Sequence, residues 1–478
     1  MRPSVLAVVL MLASAPGVRA ADTLWMSLRG TCEGGAVCRW PAEEEPPQIR
    51  EWHFTSKTSR RYKMGLAVWA SPACALVGGR PMIFIGGCDQ TLHALDLLDK
   101  ERVWFKLTNG EIASAPAVGL VEGQQVVFWG SADRTVYAHF AKTGGRLWTR
   151  ELVKATNTMD EAALSAPLLH DGTLFITCFA YDKALARSNQ KGWLFALDMA
   201  TGAVRWRYEV SQGPMSSPAG RILNGRFVVF VAARKGLLQA IDAAGPLPQR
   251  LWTFQMPHEV LGSPVIEGDT DNPALFLGSK FGNLIAIDAR TGRERWERMA
   301  GNWIDNTACV GEIDGERVVF VGSHDYYLYA FRAADGEELW RKRLGGEVYS
   351  APAFFHFEGE PAVVAGALDN RLYVMNARDG KVIVSYHTGT PVWDKVTKGD
   401  TLWASPVALE AGAQTAIIHG SFGDAVYVFP LNAESPFRTR VQSPRTLWYA
   451  LGLVAVAFLG VVLPIIIVLP VGKEQGAR

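Results

Sequence analysis

The stretch Gly278-Ser279-Lys280-Phe281-Gly282-Asn283-Leu284-Ile285-Ala286-Ile287-Asp288-Ala289-Arg290-Thr291-Gly292-Arg293-Glu294-Arg295-Trp296 decides the fold. It passes a turn at Gly282, an apolar run from Leu284 to Ile287, an Asp, a Thr-Gly turn, and ends on tryptophan. Versions of its phrase A-[LI]-D-x-x-T-G-x-x-x-W precede most of seven tryptophans, Trp52, Trp104, Trp148, Trp206, Trp252, Trp296 and Trp340, spaced about 44 to 58 residues apart. That interval is the period of a four-stranded propeller blade, a unit that must stack on neighbours because it cannot bury its own apolar face. The seven rings are therefore read as structural pins between blades, each burying apolar area on the order of several kcal/mol.

A second marker counts the repeats. A Ser-x-Pro or Ser-Pro step opens them at Pro72, Pro116, Pro167, Pro218, Pro264, Pro352 and Pro406, with Thr307 in the remaining slot, which gives eight. Between markers, β-rich runs alternate with turn residues such as Asp133, Gly236, Gly282, Asp325 and Asp369, the pattern of strands joined by tight hairpins. The aspartates are read as turn chemistry. The seventh repeat has Val384 in place of its Trp, and the eighth stops after Tyr427-Val428-Phe429, short of a fourth strand. The segment Gln48 to Phe54 matches a fourth strand and has no earlier strands of its own, so it is expected to complete the last blade with Trp52 in the Trp slot. The expected fold is all-β: an eight-bladed β-propeller over 48–430 closed by an N-terminal strand, plus one C-terminal transmembrane α-helix.

Both ends read as membrane addresses. Residues 1–20 carry Arg2, an apolar run and Val18-Arg19-Ala20 before Ala21, the pattern of a secretory signal peptide. Residues 446–471 are uncharged and mostly apolar, longer than the roughly 20 residues a spanning helix needs, with Trp448 and Tyr449 at the start and Lys473 beyond. The expectation is a single-pass membrane protein with its propeller on the periplasmic or extracellular side, a tether at 431–445 and a cytoplasmic tail at 472–478. Lys plus Arg is 48 against 47 Asp plus Glu, which gives no electrostatic case for a nucleic-acid partner. Six cysteines in an exported chain permit disulfides, and Cys32 with Cys38, inside the loop segment 21–47, are the expected pair. Cys74, Cys178 and Cys309 are read as small core residues, Cys74 and Cys309 at equivalent inner-strand positions.

The Gly278 to Trp296 stretch closely resembles the blade motif of the pyrroloquinoline-quinone-like propeller family, and the resemblance covers about 48 to 430. That family includes quinone-dependent dehydrogenases as well as non-enzymatic members such as outer-membrane assembly factor B. The dehydrogenases hold their quinone beneath a ring of two adjacent cysteines, over a Trp floor, with calcium bound by Glu, Asn and Asp. This chain has no Cys-Cys pair and few insertions, Ala180 to Lys191 being the largest. It also has no nucleophile elbow, phosphate loop or His-Glu-x-x-His pair. The resemblance therefore implies a binding or scaffolding module for envelope or membrane proteins, with no cofactor and no metal; quinone and calcium belong to the alternative, a dehydrogenase feeding electrons to the membrane.

One face carries the candidate ligand site. Glu111, Glu259 and Glu347 lie five residues before their repeat's Pro marker, and Trp69, Trp303 and Trp403 three or four before it. Equivalent positions form a ring, so these residues, with Asp305 and the long-connection residues Trp393, Asp394 and Lys398, are expected around one mouth of the channel. Acid groups beside exposed aromatics suit a cationic, sugar-like or peptide ligand.

Overall fold

A computed structural model describes residues 37–39, 52–55, 70–154, 162–180, 191–211, 213–214, 216–268, 272–387, 404–411, 414–420, 425–431 and 438–440. All the elements among them are β-strands, and they form eight sheets. In the first blade Ala73–Val77, Arg80–Gly86, Thr91–Asp96 and Glu101–Leu107 follow one another as an antiparallel meander. Five others repeat it from first strands at Ala117–Val121, Ala219–Leu223, Val265–Glu267, Cys309–Ile313 and Ala353–Phe357, and the third blade does so from Leu168–His170 with Ala162–Leu164 added. First strands of neighbouring sheets touch, so they form the inner ring.

The eighth blade, Val407–Ala411, Gln414–Gly420 and Ala425–Pro430, takes its outer strand from Trp52–Thr55, as the repeat pattern predicts. Trp52 stands opposite Val428, the register in which Trp252, Trp296 and Trp340 stand opposite Ala240, Ala286 and Ala330.

The repeated phrase has a geometric cause. The indole N–H of Trp104, Trp148, Trp252, Trp296 and Trp340 donates to a carbonyl of the next blade, at Ala141, Met199, Ala289, Ala333 and Ala377 respectively, over 2.8 to 3.1 Å. Each ring also lies on the glycine of that blade's third turn. At Gly336, with φ +74°, a Cβ would stand 2.7 Å from Trp296, so this position needs glycine both for its backbone and for its space. Behind the ring sits a phenylalanine of the same blade, as with Phe276 at 5.8 Å from Trp296. Apolar clusters accordingly fill the gaps between adjacent sheets, for example Phe276, Leu284 and Trp296 with Val319, Val321 and Phe331.

A second set of bonds runs round the inner ring. The amide of Ala166 donates to the Ser217 hydroxyl at 3.2 Å, Ser217 to Ser263 at 2.9 Å and Ser263 to Thr307 at 3.2 Å. Across the seam, Ala351 donates to Ser405 at 3.0 Å and Ser405 to Ser71 at 3.1 Å. These hydroxyl residues are buried. Thr307 therefore occupies the step before the Pro marker, and Ala308 takes the Pro slot. The marker reading was one residue out in this repeat, because a Thr was matched to a Pro. The same slip misplaced Cys309: Phe320 faces it as Phe84 faces Ala73, so Cys309 and Cys74 occupy neighbouring positions. Cys74, Cys178 and Cys309 are buried as expected.

Two short strands carry no repeat signal. Val37–Arg39 runs parallel to Val407–Ala411 on the inner side of the eighth sheet, within the stretch read as a loop. Arg438–Arg440 pairs antiparallel with Val382–His387 as a fifth strand outside the seventh, within the stretch read as a tether. The signal segment, the apolar segment 446–471 and Cys32 of the expected disulfide lie outside the described residues. Among the described residues no helix is long and apolar enough to cross a membrane.

Candidate functional site

In a four-stranded meander, the turn between second and third strands and the connection to the next blade leave from the same end of the sheet. Backbone bonds lock the two together here. The amides of Ala132, Lys280, His324 and Leu368, one per turn, donate to the carbonyls of Glu111, Glu259, Trp303 and Glu347, one per connection, over 2.8 to 3.0 Å. Trp303 is thus the counterpart of the three glutamates, a consequence of the corrected Thr307 register. The turn aspartates do cap their own hairpins: Asp133 Oδ1 accepts from Thr135 N–H at 3.0 Å and Asp325 Oδ1 from Tyr327 N–H at 2.9 Å.

Four of the expected residues come together across the fourth to seventh blades. The Arg234 guanidinium lies 3.8 Å from Glu259, whose carboxylate is 3.9 Å from Lys280 Nζ. That ammonium lies 4.8 Å from the centre of the Trp303 ring, and Trp303 meets His324 with ring centres 5.5 Å apart. His324 has Nε2 3.6 Å from Asp305 and Nδ1 4.0 Å from Glu347, with the Tyr349 ring 3.9 Å away. Burial pushes the Asp305 carboxyl up and the His324 imidazole down, so both are biased toward their neutral forms despite their proximity.

Around this arc apolar side chains also reach the surface. Phe281 is 63% exposed, Met299 58% and Trp303 43%, and His258 stacks on Phe281 at 4.0 Å. Glu111 does not join them, since the junction of first and second blades lies across the ring from the junction of fifth and sixth. Trp69, Trp393, Asp394, Lys398 and Trp403 lie outside the described residues.

Sequence reasoning missed Arg234, Lys280, His324 and Tyr349. The first three share one step of the second turn, next after Ala233, Ser279 and Ser323, and that shared step was the available signal. Their charges change the site's chemistry. Glu259 is met by two cations and one side of Trp303 carries Lys280, so the arc is charge-balanced and amphipathic rather than acidic. Such a surface suits a protein or peptide carrying both charge signs and apolar side chains.

Among the described residues no group of His, Cys, Asp and Glu side chains is arranged to hold a metal ion.

The family model described as outer membrane protein assembly factor BamB matches residues 52–298 and 308–447, and the chain belongs to this family of pyrroloquinoline-quinone-like propellers. Among curated relatives, a serine/threonine-protein kinase AfsK of Streptomyces griseus is 29% identical over 33% of this chain and 18% of its own. An outer membrane protein assembly factor BamB of Nitrosomonas eutropha is 34% identical over 31% of this chain and 30% of its own. The chain thus matches less than a third of the length of either. Of solved structures, BamB from Moraxella catarrhalis aligns with TM-score 0.54 at 16% identity, covering 80% of this chain and 99% of that one. Quinohemoprotein alcohol dehydrogenase from Comamonas testosteroni aligns with TM-score 0.60 at 12% identity, covering 86% and 80%. At these identities the structures show the shared fold.

Proposed function

We propose that this propeller is a non-enzymatic scaffold that binds envelope proteins through the face bearing Glu259, Lys280, Phe281, Trp303, Asp305 and Glu347. The observation that carries the reading is the exposed Phe281, Met299 and Trp303 surface threaded with balanced charge, the composition of a protein-docking patch. Membership of the assembly-factor family supports the envelope setting. The signal-like residues 1–20 and the apolar run 446–471 support export and anchoring by a single helix.

The test is a photo-reactive residue placed at Phe281 in the full-length, membrane-anchored chain. Attachment to one defined envelope protein, lost when Trp303→Ala and Glu347→Gln are added, is the expected result. The dehydrogenase alternative draws on the fold shared with the alcohol dehydrogenase. Dye reduction by the purified chain supplied with the quinone and calcium would replace the scaffold reading.

A further inference from the structure

The outer strands of the blades follow a rule that the first blade breaks. One and three residues after the Trp position, the second blade has Thr149 and Glu151, the third Arg207 and Glu209, the fourth Thr253 and Gln255, and the sixth Arg341 and Arg343. The fifth departs once, with Glu297 and then Met299. The first blade has Phe105 and Leu107 at these steps, 43% and 68% exposed, in line with Val103 at 49%. Trp104, between them, is buried toward the second blade and donates to Ala141. The exposed row therefore lies on the side of the strand facing away from that packing.

This strand, Glu101–Leu107, is also the last of its sheet, and among the described residues no strand pairs with its outer side. An apolar edge of this kind, with no described strand beside it, invites strand addition, and the polar residues at these two steps in the second, third, fourth and sixth blades blunt that tendency. The seventh blade shows that an outer edge of this propeller accepts another strand, because Arg438–Arg440 pairs there with Val384, Ser385 and Tyr386. Charge selects the occupant. Lys100, Arg102 and Lys106 outnumber Glu101 along the edge, and the Arg102 guanidinium lies 4.4 Å from the centre of the Phe105 ring. Two copies of this strand carry the same surplus and repel, whereas a strand alternating apolar and acidic residues is attracted.

We propose that the outer edge of the first blade is a docking strand for an extended, acidic and apolar segment of another protein, added to the sheet by backbone pairing. The inference rests on the reading of the propeller as a binding module but not on the Phe281 face.

The probe is a fluorescein-labelled nonapeptide of alternating glutamate and valine, titrated by anisotropy into the full-length chain in detergent, beside a lysine–valine peptide. Saturable binding of the acidic peptide alone is expected. It weakens by about tenfold or more in the double variant Phe105→Thr, Leu107→Glu, which borrows the second blade's own residues and so suits a blade of this ring. The pair Thr253→Lys, Gln255→Lys on the fourth blade leaves it unchanged, as does Trp303→Ala, so the edge and the face stand or fall separately. Equal binding of both peptides, or of wild type and the Phe105/Leu107 variant, overturns the proposal. So does a photo-reactive residue at Leu107 that attaches to this chain itself or to a second copy in place of the peptide.

Discussion

Each blade has two ends, and they are built on opposite plans. Where the third strand turns into the fourth, one arrangement recurs: a Trp of the preceding blade covers a turn glycine and donates to a nearby carbonyl, as Trp296 does at Gly336 and Ala333. Where the second strand turns into the third, the backbone is held by the same amide-to-carbonyl bond while the side chains differ from blade to blade: Ala132, Lys280, His324, Leu368. Constant side chains at one end fix the spacing of the sheets. Constant backbone at the other positions side chains without dictating them, and this is the end where a recognition surface can vary.

The contrast predicts a graded set of outcomes. Trp296→Ala removes a buried ring and its hydrogen bond, and denaturant unfolding is expected to show a loss of about 3–5 kcal/mol. A bystander ring would lose far less. Gly336→Ala forces a side chain against Trp296 at a left-handed backbone position, with an expected loss of about 1–3 kcal/mol by the same assay. Ser405→Ala strands the buried amide of Ala351 and costs about 1–3 kcal/mol. Its seam position makes it a direct measure of ring closure.

At the other end, Trp303→Ala should change stability by less than about 1 kcal/mol while abolishing attachment at Phe281. A large stability loss there would erase the distinction between the ends. The smallest effect concerns acid. The bond from Arg205 holds the partly exposed Asp198 carboxyl below its usual range, so its contribution is present above about pH 4 and is lost as pH falls through the folded value. Asp198→Asn should slightly flatten the acid limb of a stability–pH profile.

The same division decides what the sequence revealed. Eight blades and the closing strand were legible because Trp, Gly and Asp recur wherever sheets must be spaced, and Trp52 opposite Val428 is the direct return on that pattern. Glu259, Trp303, Asp305 and Glu347 could be grouped from the sequence because they sit at related steps of successive inter-blade connections. Arg234, Lys280 and His324 were not, since they come from a different turn and reach the site only through the amide bond joining turn to connection. Thr307 slipped by one because the repeat lost its Pro and kept its hydroxyl. The strands Val37–Arg39 and Arg438–Arg440 are three residues long and join by backbone pairing, which leaves no period to detect.

The borrowed strand of the eighth sheet also sets a schedule. Trp52–Thr55 is made early, yet its partner Ala425–Pro430 emerges roughly 370 residues later, a wait of about 20–75 s at ordinary synthesis rates. Throughout that interval the young chain carries an unmated strand and a widening stack with two raw flanks. Latching is therefore a late, single event on which every completed blade depends for protection from neighbouring chains.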